Sequence, residues 1–311
     1  MSNLPLVSIV IPTYNRPDIF RETVASADAQ SYSNIEIICI DDSDSEYGAS
    51  VDVDNFVHIT DHPHQNYGDA LNTGLDYATG EYVMILDDDD TVSEDHVQTM
   101  MDGLSNGDYE GAFANLNLVD SSGDVIGVQD IAEEIELQPP LKELLRGRQV
   151  YRTLSGFVVN RNVVESMGGF MTEIPYWIDL EFYIRFLSRH SIYVSDTRSI
   201  NYRIHEKQIS GTLSLEEKLE GYQTIVDRNR DTFDSFGKDY YRYCRARHYL
   251  LVALDASEKS RMAALPYLIK MLRVYPEQLI NPDNWKMNAY HIYAYILSVE
   301  NDNEFELRPI P

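Results

Sequence analysis

Tyr82-Val-Met-Ile-Leu-Asp-Asp-Asp-Asp90 is a short apolar run that passes directly into four consecutive aspartates. Val, Met, Ile and Leu between Gly80 and an acidic block read as a central strand of a parallel sheet, buried on both faces. Four carboxylates at a strand end repel one another. A hard divalent cation held by oxygen ligands answers that repulsion; a solvated acidic turn is the plainer alternative.

The pattern repeats outward from this strand. Leu6-Val-Ser-Ile-Val-Ile-Pro12 reads as a buried strand stopped by its proline, followed by the loop Thr13-Tyr-Asn-Arg-Pro17 and a helix over 18–30. Ile35–Ile40 is a second strand, ending at Asp41-Asp42-Ser43, and Phe56–Thr60 a third. Tyr67–Thr79 has helical spacing and is closed by Gly80, which suits a left-handed C-terminal position. Strand–helix alternation places this half in the α/β class. Ligands of such sheets bind beyond the carboxyl ends of the strands. Three strand ends here carry polar clusters: Pro12–Asn15, Asp41-Asp42 and Asp87–Asp90. A dinucleotide-binding G-x-G-x-x-G and a P-loop are both missing from the pattern.

Further on, 95–107 reads as a helix, 111–128 as a hairpin turning at Ser121-Ser-Gly-Asp124, and Gln138-Pro-Pro140 as the lead-in to a short helix. Ser155–Val159 reads as a strand, Val163–Met167 as a helix broken at Gly168-Gly169, Ile178–Leu187 as an amphipathic helix, and Ser199–His205 as a short strand. Beyond Ser214 the segments 215–236, 240–254, 260–274 and 284–297 all have helical periodicity. The expected organisation is an α/β domain over 1–212 and a C-terminal helical region over 213–311.

Composition bounds the function. The chain has 311 residues, 43% of them hydrophobic, and a formal net charge of −26. Its 25 cations are 7 Lys and 18 Arg with no basic stripe, which speaks against nucleic acid. Dispersed acid with Arg ahead of Lys resembles proteins of salt-loving organisms. Cys39 and Cys244 read as buried small hydrophobes. With no leader-like segment and no apolar run near ~20 residues, a soluble, cytoplasmic protein is expected. Any work at the inner face of the membrane is then peripheral, with the C-terminal helices as the contact to membrane or partner protein.

The motifs, in order, resemble the family 2 glycosyltransferases of the GT-A fold, which are inverting enzymes that use nucleotide-sugars. Val7–Arg16 is similar to that family's first strand and nucleotide loop, Ile40–Ser43 to its uracil-contacting aspartate pair, and Asn72–Gly74 through Val83 to the lead into the metal strand. Leu86–Asp90 fits a D-x-D-D metal motif. Gly168-Gly-Phe170, Ile178-Asp179 and Tyr202–His205 follow in the family's order.

The resemblance implies a GT-A mixed sheet flanked by helices, a UDP-sugar donor, and Mn²⁺ or Mg²⁺ as cofactor. It implies Asp89 as metal ligand, Asp87 on the ribose, Asp88 acting mainly through its backbone, and Asp90 in support. Asp42 would accept the base N3–H, with Tyr14 near the ring and Pro12 and Thr13 shaping the slot. Asn15 lies in the same loop, Arg16 and Arg203 are candidates for the phosphates, and His205 for the metal. Asp179 is the expected general base, at a helix start whose dipole favours its ionised form. Leu71 stands where many relatives have arginine, and Ile178 where they have glutamate. Tyr176 and Trp177 are candidates to stack on an acceptor sugar, or core aromatics. The implied acceptor is a glycan or lipid-linked saccharide in surface-polysaccharide or protein-glycan assembly. A degenerate sugar-binding module and a sugar-nucleotide nucleotidyltransferase are the rival readings. The second is weakened by a nucleotide loop with one cation and no glycine.

Overall fold

The computed structural model describes residues 4–44, 53, 55–60, 66–133, 141, 144, 151–174, 176–205, 214–237 and 240–276. The expected helices near Gln138-Pro-Pro140 and over 284–297 lie wholly or largely outside those residues. The chain divides into two compact units, Met1–Leu213 and Ser214–Pro311.

The first unit is a mixed sheet, with nine strands among the described residues. In chain order they are β1 (Val7–Thr13), β2 (Ile35–Asp41), β3 (Phe56–Ile59), β4 (Tyr82–Ile85), β5 (Thr91–Val92), β6 (Gly111–Val119), β7 (Val125–Gln129), β8 (Val158–Asn160) and β9 (Ile192–Arg203). They lie in the order β3-β2-β1-β4-β8-β6-β9-β5, with β7 paired to β6. β3, β2, β1 and β4 run parallel, while β8 is antiparallel to both β4 and β6. β6 is therefore parallel to β4, and β9 is parallel to β6. The carboxyl ends of β1, β2, β4, β6 and β9 consequently share one edge of the sheet. That edge holds the site.

The helices are α1 (Pro17–Asp28), α2 (Tyr67–Tyr77), α3 (His96–Ser105), α4 (Arg161–Ser166) and α5 (Ile178–Leu187). The central strands are buried over almost their whole length, as their continuous apolar runs require. A second packed layer joins α5 to the sheet through Phe113, Tyr151, Phe157, Phe182, Tyr183 and Phe186, all fully buried. Their rings meet edge-on or offset, for instance Tyr151 on Tyr183 at 4.5 Å and Phe157 on Phe186 at 90°. Such pairs contribute about 0.5–1.5 kcal/mol each beyond burial, and they make a stiff base for whatever α5 presents.

Four local expectations change. Pro12 does not stop β1, which runs on to Thr13 opposite Asp41. Pairing with β4 has already ended at Val10, so the missing N–H breaks no ladder bond on that side. Gly80 is absent from the positive-φ glycines, and α2 ends instead on Ala78 in an extended conformation. A side chain at Gly80 would lie 2.7 Å from Leu6 O and 2.7 Å from Ser8 Oγ, so close approach of β1 demands the glycine. The strand expected at Ser155 starts only at Val158, because Gly156 takes φ +81°. The short strand at Ser199 proves to be the end of twelve-residue β9.

The second unit contains α6 (Leu215–Arg228), α7 (Arg230–Ser235), α8 (Tyr240–Lys259) and α9 (Arg261–Val274). Ser214 and Glu217 form a reciprocal capping box at the start of α6. Leu219, Leu250, Ala253, Ala256, Ala264, Tyr267 and Met271 build its core.

Candidate active site

β1 delivers Thr13–Arg16 to the shared edge. Asn15 adopts φ +55°, a left-handed turn that asparagine tolerates. It is stitched to the end of β2, since its N–H donates to Ser43 Oγ at 2.8 Å and its amide to Asp44 Oδ2 at 3.0 Å. Asp42 N donates to Thr13 O, which sets Asp42 beside the loop. Pro12 and Thr13 are buried beneath, and the Tyr14 ring is 59% exposed, open to a planar ligand. Asp41 binds His58 Nε2 at 3.0 Å and accepts from Ser43 N. Burial pushes its carboxyl up, but those hydrogen bonds outweigh burial and hold it below the usual range.

The four aspartates behind β4 have four environments. Asp87 accepts Tyr67 Oη at 2.5 Å and Thr153 Oγ1 at 3.1 Å, while its N–H donates to Ser155 Oγ. Burial and the neighbouring Asp89 raise it to about 7. The Asp88 carboxylate accepts Thr13 Oγ1 at 2.7 Å, Tyr14 N and Arg16 at 2.9 Å. These bonds tie the Asp88 side chain to the β1 loop, because β1 and β4 are neighbours and that loop folds over it. Asp89 accepts Arg16 at 2.7 Å and meets His205 Nε2 at 2.9 Å. Asp90, 1% exposed, accepts Arg203 N, and burial raises its pKa well above the ordinary value.

Arg203 was expected on the donor. Its guanidinium is instead 5% exposed and spans Asp89 O, Ser121 O and Glu22 Oε2 at 2.9, 3.1 and 2.7 Å. It braces the acidic loop from behind, because the end of β9 lies under that loop and turns the side chain inward. Arg16, its side chain partly exposed, meets Asp88 and Asp89 from the β1 loop.

α5 supplies Asp179. Its Oδ1 accepts the N–H of Leu180 at 2.8 Å. Burial nevertheless raises its pKa to about 6, so desolvation outweighs the helix terminus that was expected to keep it low. Trp177 enters the helix at φ +63°, a strained backbone for a bulky residue. Tyr176 and Trp177 are both half-buried. The hydroxyls of Tyr67, Tyr183 and Tyr202 all feel Asp87 and Asp179 together, which brings the acidic loop and the first turn of α5 to one cleft. Tyr183, one turn after Asp179, donates to Thr153 O at 2.9 Å. Thr153 thus holds Asp87 with its hydroxyl and α5 with its carbonyl.

α5 is also fastened from its far side. Arg185 pairs with buried Glu181 at 2.7 Å and donates to Met167 O and Gly169 O. Gly168 and Gly169 both have positive φ, and Asn72 bonds Phe170 through both its amide atoms. Leu71, where an arginine was the familiar residue, is wholly buried. Sequence reasoning missed Tyr67, Thr153 and Ser155, which lie outside every charged motif.

Among the described residues, no three His, Cys, Asp or Glu side chains form a metal-holding group. Two donors do converge, Asp89 Oδ2 and His205 Nε2. This set fits a divalent ion that draws its remaining ligands from phosphate and water.

The family model for glycosyl transferase family 2 matches residues 8–171. The chain belongs to that family; it is a glycosyltransferase of the inverting type that characterises the family. A Campylobacter jejuni protein named GalNAc(5)-diNAcBac-PP-undecaprenol beta-1,3-glucosyltransferase is 27% identical over 97% of this chain and 96% of its own length. Staphylococcus aureus TarS, solved with UDP-GlcNAc, superposes with a TM-score of 0.61 at 18% identity, covering 86% of this chain and 79% of that one. The mannosyltransferase PcManGT from Pyrobaculum calidifontis, solved with GDP-Man and Mn²⁺, gives 0.53 at 14% identity over 97% of this chain and 89% of its own. The two structures share the GT-A type fold seen here.

Proposed function

We propose that the chain moves a sugar from a UDP-sugar to a hydroxyl of a lipid-linked saccharide, working peripherally at the cytoplasmic face of a membrane. The carrying observation is Asp179, a carboxyl raised to about 6 in the same cleft as Asp87 and Asp89. A base with a pKa near neutrality is ionised at working pH and still takes a proton readily.

Asp42 accepts the uracil N3–H, Tyr14 stacks on the ring, and Asp87 binds the ribose. Arg16 turns from Asp88 and Asp89 towards the diphosphate. Asp89 and His205 would hold Mg²⁺ or Mn²⁺, which supplies Lewis-acid neutralisation of the departing diphosphate. The acceptor hydroxyl gives its proton to Asp179 as its oxygen bonds to the anomeric carbon. The bond from that carbon to the diphosphate oxygen breaks on the opposite face, and UDP leaves with the electron pair. Strand-end rigidity on one side and the aromatic layer under α5 on the other hold base and donor at fixed separation, where most of the rate advantage of orientation arises.

The lipid-linked acceptor is supported by the end-to-end similarity to the undecaprenol-named relative. No helix among the described residues is long and apolar enough to cross a membrane, which agrees with peripheral work. The test is a hydrolysis screen of UDP-, GDP- and dTDP-sugars with Mn²⁺ and with Mg²⁺. A UDP-sugar should turn over fastest and only with metal; preference for a GDP-sugar, or full rate in chelator, overturns the assignment. No hydrolysis of any donor would favour a non-catalytic binding module.

A further inference from the structure

α9 is two-faced in an unusual way. Ala264, Tyr267 and Met271 face the core of the second unit. The opposite stripe carries Met262, Leu265 and Ile269, which are 75%, 47% and 42% exposed, at the i, i+3, i+7 spacing of one helix face. The stripe continues into Lys270 and Arg273, both exposed. A solvated face normally carries polar residues here. Charge singles out the same element. In a chain of net charge −26, α9 is the one helix among those described without Asp or Glu, and it contains Arg261, Lys270 and Arg273. Arg273 in the last turn also suits the helix dipole, and Lys270 lies over the Tyr267 ring at 5.5 Å. Those reasons account for the charge and leave the three exposed apolar chains unexplained.

We infer that the outer face of α9 is a docking surface for an anionic lipid bilayer. This deepens the lipid-linked acceptor reading and rests on it for its purpose. The remaining acidic surface is repelled by such a membrane, so a cationic patch beside an apolar ridge selects which face approaches. The ridge enters the interface in the manner of an amphipathic helix lying in the membrane plane. At fourteen residues α9 is too short to span.

The test uses the full chain, without donor or acceptor, sedimented with vesicles of phosphatidylcholine alone or mixed with phosphatidylglycerol. Partition should require phosphatidylglycerol and weaken with salt. Lys270→Gln with Arg273→Gln should lower it about tenfold or more, and Met262→Ser, Leu265→Ser and Ile269→Ser together should lower it by at least a similar factor, with unchanged circular dichroism. No partition, or partition indifferent to both variants, overturns the proposal. So does a triple variant whose only effect is on the chain's own mass in solution or its melting, since the ridge then meets a second copy or another part of this chain. Vesicle binding by a protein that transfers no sugar overturns the acceptor reading and leaves the surface standing.

Discussion

Replacing Asp179 with asparagine should abolish sugar transfer and stabilise the protein at the same time. The carboxyl's ordinary pKa of 3.8 is raised to about 6 by burial. The folded state therefore binds a proton more tightly than the unfolded chain. Stability is fully present below about pH 4 and is lost as pH rises through 6, where the ion must sit desolvated. A shift of that size corresponds to about 3 kcal/mol at ~1.4 kcal/mol per unit, which solvent at the cleft mouth reduces to about 2. Asparagine keeps the oxygen that accepts the Leu180 N–H and carries no charge. Above pH 7 the variant should melt some 4–8 °C higher in the first unit, at 2–4 °C per kcal/mol, and at pH 4 the two should coincide. Scanning calorimetry at pH 4 and pH 8 reads the difference, and a coupled UDP-release assay reads the transfer. Equal melting at pH 8, or an equal gap at both pH values, refutes the electrostatic reasoning. Wild-type transfer by the variant places the base elsewhere. In the wild type, kcat/KM should begin to fall below pH 7 as Asp87 takes up a proton and fall more steeply below pH 6, where Asp179 is protonated as well.

Other expectations follow from single contacts. Asp89→Ala should remove metal-dependent UDP binding, measured by calorimetry with and without Mn²⁺, and turnover with it. Tyr67→Phe deletes a hydrogen bond that lowers the pKa of Asp87, so that carboxyl should titrate above its present value of about 7. Donor affinity should drop about tenfold at pH 7 and recover at pH 9, in a UDP titration across pH. Gly169→Ala should cost about 2 kcal/mol or more in urea unfolding, because φ is +75° and the new methyl would lie 2.4 Å from Asn72 Oδ1.

What was legible in the sequence was local. β4 was visible as an unbroken apolar run, and α5 was bounded at the residues the structure shows, because its amphipathic period and the Gly-Gly break before it are sequence-near signals. The acidic loop was visible as a site because three strand ends carried polar clusters, and parallel pairing puts such ends on one edge. The unequal environments of its members were not. Asp88 is bound by Thr13, 75 residues away, and Arg203 reaches Glu22 across 181 residues. Tyr67 and Thr153 carry no charge and belong to no motif, so only the fold reveals that both end on Asp87. The raised pKa of Asp179 was hidden for the same reason: burial is a property of the packed state, whereas the helix terminus is written locally.

Thr153 links these observations to the protein's history. One residue holds the donor-side carboxylate with its hydroxyl and the base helix through its carbonyl. A change there cannot retune the nucleotide pocket while leaving the acceptor chemistry alone; serine is the simplest replacement able to keep both bonds. Divergence towards new sugars is channelled away from this point into loops, where one half of the reaction can change without the other.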